Sequence, residues 1–441
     1  MNIFVCGPTV YDYSHIGHAR TYLVFDMFAK YLKGQGFDVF YLQNITDIDD
    51  KIIKRAKEKK TTPQKLARHF EKEYLKDMKA LKIDGVTKYA RATDYIKEII
   101  LQVKILLKKG YAYRTEDGIY YDISKFKNYG KLSGRTFLQA EDAVSRIDQA
   151  EEKRNKGDFC LWKISKPGEP KWPSPWSWGR PGWHIEDTAI AEKFFGPQYD
   201  IHGGARDLIF PHHEAEISQM EAMSGKKPMV KYWLHTGFLT VGGQKMAKSL
   251  GNFIIIQDFI KKYSSRLLRF LVLKNHYRSP IDYTDSAVLQ AERELEKIDE
   301  FINKLNLLRL NLNISSRLNL RKFEKQFEGA MADDFNTPQA IAAVFELIGQ
   351  GNSLMDDNLL SRNDAKNILA FLKKIDGYFD FIFWPKQKEK PNQEILDLVE
   401  KREGLRKKGL WQKADAIREK VQAAGWQIED AKQGPKLKKI K

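Results

Sequence analysis

The sequence predicts an α/β fold: a Rossmann-like domain on a parallel sheet, split by an inserted connective domain and followed by a C-terminal α-helical bundle. Three observations carry this prediction. Near the N-terminus a strand-like run, a helical run and a second strand-like run follow in order, which makes a βαβ unit and implies parallel strands. Residues 111–180 break that rhythm with short hairpin-like runs such as Gly118-Ile119-Tyr120-Tyr121 and a stretch rich in Pro and Trp from Lys171 to Trp183. From residue 284 to 384 Gly and Pro are rare and the periodicity is helical, as in an antiparallel bundle.

Residues 2–6 carry β-branched and aromatic side chains and read as a short buried strand, which Gly7-Pro8-Thr9 ends. A helix is expected from His18 to Lys33, with Tyr22, Phe25, Phe28, Ala29 and Leu32 on one face and Gly34 to Gly36 as its stop. A second strand is expected over Asp38-Val39-Phe40-Tyr41-Leu42. Residues 62–110 read as helical. The strand–helix pattern resumes at Tyr199-Asp200-Ile201-His202 and closes near Trp233. Pro385 to Pro391 reads as a linker, and the last fifty or so residues as one or two amphipathic helices with a basic tail.

A chain of 441 residues with 42% hydrophobic content is long enough for two to four packed domains and too apolar to be disordered. No apolar run reaches the ~20 residues that span a bilayer, so no membrane segment is expected. The N-terminus enters a strand-like run directly, so no signal peptide is expected. Two cysteines, Cys6 and Cys160, cannot build a disulfide framework and suit a reducing, cytoplasmic setting. The net charge of +17, from 75 Lys+Arg against 58 Asp+Glu, favours a polyanionic partner such as nucleic acid. The run Lys436-Leu437-Lys438-Lys439-Ile440-Lys441 adds to it and reads as a solvated end.

Two distant motifs carry the chemistry. Ser14-His15-Ile16-Gly17-His18 lies where a strand end meets a helix start, the place where open α/β sheets bind ligands and where a helix N-terminus favours anions. Histidines one turn apart can face the same phosphates, and Gly17 leaves room for a nucleotide. Lys245-Met246-Ala247-Lys248-Ser249 sets two lysines on a loop, where they can stabilise charge that builds on phosphates as pyrophosphate leaves. Between them His202-Gly203-Gly204-Ala205-Arg206-Asp207 offers glycines for close approach and an acid for ribose hydroxyls. Each segment alone is a weak sign, because histidine turns, basic loops and glycine pairs are common; the order of the three makes the reading specific to adenylyl transfer.

These segments, with Cys6-Gly7-Pro8-Thr9-Val10-Tyr11-Asp12, Asn44-Ile45-Thr46-Asp47-Ile48-Asp49-Asp50-Lys51, Gly182-Trp183-His184-Ile185-Glu186, Phe210-Pro211-His212-His213-Glu214 and Asp333-Asp334-Phe335-Asn336-Thr337-Pro338, resemble the cysteinyl members of the class I aminoacyl-tRNA synthetases over essentially the whole chain. The resemblance implies a ligase that activates L-cysteine with ATP and passes it to the 3′-terminal ribose of tRNA(Cys), with Mg2+ accompanying ATP. It implies His15, His18, Lys245 and Lys248 as catalytic groups and Gly7, Thr9, His15, Gly17, His18, Gly203, Gly204, Asp207 and Lys248 as the ATP site. Cys6, Thr46 and Trp183 would form the amino-acid pocket. It also implies one Zn2+ that binds the substrate thiolate and selects cysteine over serine.

In the family two cysteines, a histidine and a glutamate hold that zinc; here Cys6, His212 and Glu216 match three positions, and Asp187 stands where many relatives have cysteine. His212 and Glu216, four apart, would share a helix face. Aspartate is a competent zinc ligand, and one anion replaces another, so Asp187 is expected to ligate zinc or to support the ligands directly. Ala247 stands where the lysine motif usually has serine. The tryptophan often found beyond Gln433-Gly434-Pro435 is missing, and Trp411 and Trp426 are expected in a small core.

With the resemblance, the chain divides into 1–95, the first half of the catalytic domain; 96–178, the inserted connective domain; 179–235, the second half; 236–283, the lysine-motif loop and stem-contact region; 284–384, a tRNA-binding helical bundle; and 385–441, a small anticodon-binding segment with a basic tail. A monomer is expected from family habit. Two rivals differ in kind: a cysteine ligase acting on an amino sugar, whose enzymes lack a full tRNA-binding region, and a catalytically silent tRNA-binding paralogue, which the intact His15, His18, Lys245 and Lys248 oppose.

Overall fold

The structure, a computed structural model, describes residues 1–135, 139, 152–246, 251–307, 318–384, 393–431 and 434–439. Its chain divides into two compact units, Met1–Phe383 and Trp384–Lys441.

The first unit starts with β1 (Asn2–Val5), α1 (Ile16–Gly34), β2 (Phe40–Ile45), α2 (Asp50–Glu58), α3 (Pro63–Ala80), β3 (Lys88–Arg91) and α4 (Ile96–Lys108). Then come β4 (Ala112–Arg114), β5 (Gly118–Tyr121), β6 (Phe159–Ile164), β7 (Trp172–Pro173) and β8 (Trp178–Pro181), which form an antiparallel sheet in the order β4-β5-β6-β8-β7. They are followed by α5 (Ile185–Phe195), β9 (Tyr199–Ala205), α6 (Glu214–Ser224) and β10 (Val230–Thr236). The parallel sheet has the order β10-β9-β1-β2-β3, so the chain leaves the central β1 toward one edge and later returns to its other side. The gap between the carboxyl ends of β1 and β9 is therefore the topological switch point, where ligands of open α/β sheets bind.

The period of two in β1 explains its burial on both faces. Ile3 and Val5 point into a core shared with Phe25 and Phe28 of α1, while Phe4 points to the opposite core, against Leu161 and Trp162 of the antiparallel sheet and Ile190 of α5. Burying each such side chain stabilises by about 1.5–3 kcal/mol. The antiparallel sheet thus shares a core with one face of the parallel one.

Beyond β10 lie β11 (Leu239–Val241), β12 (Gln244–Lys245), α7 (Ile256–Lys262), α8 (Ser265–Leu273) and β13 (Ile281–Tyr283), with β11 central in a three-stranded sheet. The helical part expected over 284–384 is α9 (Asp285–Leu307), α10 (Leu320–Ala332), α11 (Thr337–Asp356) and α12 (Arg362–Phe379). Their starts carry readable signals: Pro338 in the first turn of α11, and a Ser361/Asp364 capping box on α12. The second unit holds α13 (Gln393–Lys407), α14 (Trp411–Ala423) and the hairpin β14 (Trp426–Ala431) and β15 (Gly434–Lys439), around Ile395, Val399, Ile417, Val421, Trp426 and Ile428.

Several expectations shift. Residues 62–110 are two helices separated by β3, a four-residue edge strand with lysine and arginine at its ends and no periodicity to announce it. The second strand lies at Phe40–Ile45 rather than 38–42, because the buried polar residues Gln43 and Asn44 continue it. α1 starts at Ile16, two residues before the expected His18. Lys436 to Lys439 form strand β15 rather than a free tail. Trp426 is in the small core, but Trp411 is 59% exposed, with the Arg406 guanidinium 5.7 Å from its ring. The 385–391 linker lies outside the described residues.

Candidate active site and metal centre

His15 is the N-cap of α1, an unusual choice that its ring makes workable. Its Nδ1 accepts the Gly17 N–H at 3.0 Å, and the Nδ1 of His18 accepts the His15 N–H at 3.3 Å, a capping box built from two imidazoles. The rings stack with centroids 3.9 Å apart. Because each Nδ1 accepts, each ring carries its proton on Nε2, which is left as a donor. Burial lowers the His18 pKa to about 4, so the ring is a neutral donor near pH 7.

The segment after the lysine motif is tied to this helix start. Ile16 donates to the Ile254 carbonyl at 3.0 Å and Ile256 donates to the Ser14 carbonyl at 2.9 Å, with His15 opposite Ile255. Phe253 meets the His15 ring edge-on at 5.0 Å. Lys245 ends β12 with its Nζ 5.6 Å from the Phe238 ring. Lys248 and Ala247 lie outside the described residues.

A cavity of about 370 Å³ opens at the switch point. Cys6, Gly7, Thr9, His15, Gly17, His18, Thr46, Trp183, Asp187, Asp207, His212 and Lys245 line it, so twelve residues from six segments of the sequence meet on one surface. Gly203 and Gly204 are beside it but not on it; Gly203 has no room for a side chain, and Gly204 is closely packed. A Cβ at Gly203 would stand 2.2 Å from the Phe25 ring, and one at Gly204 3.1 Å from His213. Gly7 has the same kind of reason: a Cβ there would stand 1.7 Å from the Asn44 carbonyl oxygen.

At the cavity floor Cys6, Asp187, His212 and Glu216 place one ligand atom each within 4.8 Å of one another, all four buried. His212 Nε2 lies 2.9 Å from both Asp187 Oδ2 and Glu216 Oε1, and Cys6 Sγ lies 3.7 Å from Glu216 Oε1. His212 belongs to the turn Ile209–His213 and Glu216 to the first turn of α6, so their four-residue spacing does bring them together. Asn44 donates to Asp187, and Thr46 donates to Glu186 Oε1 at 2.5 Å. Trp183 covers the cluster, its ring 4.8 Å from that of His212.

The electrostatics suit a cation. Burial raises the Cys6 thiol, and the Glu216 and Asp187 carboxylates raise it further. Burial pushes Glu216 up to about 8. Burial works against charge on His212, yet Glu216 and Asp187 outweigh it and push the imidazole up to about 10. Glu216 Oε2 is buried and makes no hydrogen bond, although His202 Nε2 is 3.2 Å away. A thiol, an imidazole and two carboxylates with one oxygen left over form a four-donor set of the kind that holds Zn2+.

A second group, Cys6, His202, His213 and Glu216, is as compact. It shares two members with the first, but His202 and His213 do not reach the cavity surface. Burial lowers the pKa of both. They back Cys6 from behind, with His202 Nε2 at 3.3 Å and His213 Nε2 at 3.4 Å from Sγ.

Sequence reasoning missed this backing layer, which includes His184 against His212 (Nδ1 to Nδ1 2.7 Å) and His235 against His213 (2.8 Å). It also missed Asn44 and Glu186. The available signal was polarity within apolar runs: Asn44 in β2 and Glu186 in α5 are buried acids or amides, which must be hydrogen-bonded.

A parallel sheet, a histidine motif at its switch point and Lys245 of the lysine motif on the same cavity are the marks of a class I aminoacyl-tRNA synthetase. Residues 1–293 match the family described as tRNA synthetases class I (C) catalytic domain, and residues 326–381 match the DALR domain. The chain belongs to the cysteine–tRNA ligase family. It is 44% identical to the cysteine–tRNA ligase of Thermococcus onnurineus, over 100% of this chain and 95% of the relative. It is 42% identical to that of Carboxydothermus hydrogenoformans, over 99% and 95%. The fold is shared with a Mycobacterium tuberculosis methionyl-tRNA synthetase in complex with methionyl-adenylate, at TM-score 0.66 and 14% identity, covering 90% of this chain and 93% of that one. No helix among the described residues is long and apolar enough to cross a membrane.

Proposed function

We propose that the protein joins L-cysteine to tRNA(Cys) in two steps at this one cavity. The observation that supports the reading is that His15, His18 and Lys245 line the same cavity as Cys6, Asp187 and His212, members of a buried thiol, imidazole and carboxylate cluster.

In the first step a cysteine carboxylate oxygen attacks the α-phosphorus of ATP, and the bond to pyrophosphate breaks. No enzyme nucleophile is needed; positioning and charge stabilisation suffice. His15 and His18 offer Nε2–H donors to the phosphates, backed by the N-terminus of α1. Lys245 and Lys248 add positive charge as pyrophosphate separates, and Mg2+ accompanies the nucleotide. Gly7, Thr9, Gly17 and Asp207 shape the ATP side, with Gly203 and Gly204 holding the strand behind it close to α1 and α6. In the second step the 3′-terminal ribose hydroxyl attacks the adenylate carbonyl carbon and AMP leaves.

Cys6, Asp187, His212 and Glu216 would hold Zn2+. Bound there, zinc would supply a soft Lewis acid that prefers a substrate thiolate to a hydroxyl. Asn44 keeps Asp187 aimed at the cluster, and Thr46 holds Glu186. Trp183 closes the amino-acid pocket from above.

The segments 1–95 and 179–235 are read as the two catalytic halves around the connective domain 96–178. Residues 236–283 carry the lysine loop, and 284–384 and 385–441 supply tRNA contacts. The net charge of +17 supports a polyanionic partner. Cysteine-dependent ATP–pyrophosphate exchange, followed by cysteine attachment to tRNA, tests the reading. Exchange without attachment would favour an acceptor other than tRNA, such as an amino sugar.

A further inference from the structure

The stretch of chain that carries Lys245 is tied to the start of α1 on both sides. After it, Ile254 and Ile256 pair through their backbones with Ile16 and Ser14. Before it, the tie is made chiefly by one side chain, Arg20, which lies two residues past His18 and about 3 Å further along the helix axis. Its guanidinium donates through Nη1 to the Phe238 carbonyl, and through Nη2 to the Ser279 carbonyl and to the Tyr277 carbonyl at 3.1 Å. Phe238 immediately precedes β11 and Ser279 lies just before β13, so Arg20 gathers the entries of both strands. Beside it, Thr21 Oγ1 meets Thr236 Oγ1 at 2.9 Å, at the end of β10.

Lys245 follows whatever Arg20 holds. β11 pairs in parallel with β13 and antiparallel with β12, with Thr240 opposite Lys245. Asp282 on β13 accepts from the Thr240 hydroxyl at 2.7 Å and from the Gly243 N–H at 2.8 Å, which fixes the turn between β11 and β12. A shift at Phe238 or Ser279 is therefore carried through the small sheet to the Lys245 backbone.

Arginine is a costly residue at this point. Arg20 is 1% exposed, burial lowers its pKa to about 10, and no carboxylate among the described residues forms an ion pair with it. Its Nε makes no hydrogen bond. A buried cation without a counter-ion is unfavourable, and an apolar side chain of similar volume often serves stability as well. The Phe238 and Tyr277 carbonyls do not need it for their own satisfaction, because the Ile281 and Gly237 N–H groups already donate to them at 2.9 and 2.8 Å. What only a guanidinium supplies is a planar fork that spans three carbonyls at the feet of two strands. Stability does not account for such a group, whereas geometry at the neighbouring cavity does: Phe238, Leu239 and Lys245 line that cavity together with His15 and His18.

We propose that Arg20 is a positioning residue for the adenylation step: it fixes the sheet that carries Lys245 against the helix that carries His15 and His18, so that both sets of donors meet the same phosphates. The proposal rests on the proposed aminoacylation activity and deepens it. Arg20 is not on the cavity surface, and no bond changes at it.

The test uses the full chain with Arg20→Lys and Arg20→Met, each alone and each combined with Lys245→Ala. In cysteine-dependent pyrophosphate exchange, each single Arg20 variant should lose about 30- to 100-fold in kcat, the order of loss that a displacement near 1 Å brings. The KM values for cysteine and ATP should stay within about threefold of wild type. Folding is checked by thermal melting of the same samples. In the Lys245→Ala background the same substitutions should lower kcat by no more than about threefold further, because the group they misplace is already gone. A merely structural role predicts losses that multiply instead, since independent defects add in free energy. Multiplying losses, an unchanged kcat in a folded variant, or failure of both variants to fold would each overturn the proposal. Wild-type protein without exchange would instead overturn the underlying functional reading, and the proposal with it.

Discussion

His212 Nε2 stands 2.9 Å from Asp187 Oδ2, and the same nitrogen stands 2.9 Å from Glu216 Oε1. One imidazole is thus held between two buried carboxylates, with the Cys6 thiol beside them. Aspartate reaches this point because Asn44, on the neighbouring strand, donates to its other oxygen. The position at which the family resemblance implies cysteine holds an aspartate with its own hydrogen-bond support.

That support gives a first prediction. Asp187→Ala should lower the affinity for zinc by about 100-fold or more and raise the KM for cysteine, while Asp187→Cys should keep both. Metal content by mass spectrometry and cysteine titration of the exchange rate check it. Full zinc retention in Asp187→Ala would refute a ligand role for Asp187.

Selectivity should follow the same cluster. Wild type should prefer cysteine to serine by about 10⁴-fold in kcat/KM, since serine cannot replace a metal–thiolate bond. Removal of metal by a chelator should abolish cysteine-dependent exchange, and added Zn2+ should restore it. A chelated enzyme with undiminished exchange would remove zinc from the account.

The histidine pair makes a pH prediction. The folded pKa of His18 is about 4, below the ordinary value near 6.5, because burial disfavours the charged ring. As pH falls, the unfolded chain takes up this proton first. His18 therefore contributes no pH dependence to stability above about 6.5, and stability is lost as pH falls from there toward 4, by up to about 1.4 kcal/mol per pH unit. Ring chemical shifts of His18 should stay neutral at pH 6. A midpoint near 6.5 would contradict the half-buried, Nδ1-accepting geometry.

His18→Ala and Lys245→Ala should each lower kcat for exchange by about 10²- to 10³-fold with little change in the KM for cysteine, since both groups act on phosphate charge that develops during reaction. A rise confined to the cysteine KM would move them out of that role.

Much of this was legible in the sequence, and unevenly so. The βαβ start and the helical run over 284–384 follow from periodicity, whereas the meeting of Cys6, Asp187, His212 and Glu216 was implied only by the family resemblance, with spacing pairing His212 and Glu216 alone. The order of the five parallel strands does not, because β3 is a charged edge strand of four residues and β9 and β10 pair only after the long excursion through the antiparallel sheet. A packing constraint on Gly203 also escaped the sequence: it faces the Phe25 ring from the distant helix α1, and only the packed structure shows that a Cβ there would stand 2.2 Å from it. The layer of His184, His202, His213 and His235 behind the cluster was hidden for the same reason, since its members come from four separate stretches and act through burial.

The most direct test of the central claim is cysteine-dependent ATP–pyrophosphate exchange on purified protein, with metal content measured on the same sample. The account predicts exchange that requires cysteine, with about one zinc per chain as expected of a single four-donor site. Well-folded, zinc-loaded protein that shows no exchange would contradict it.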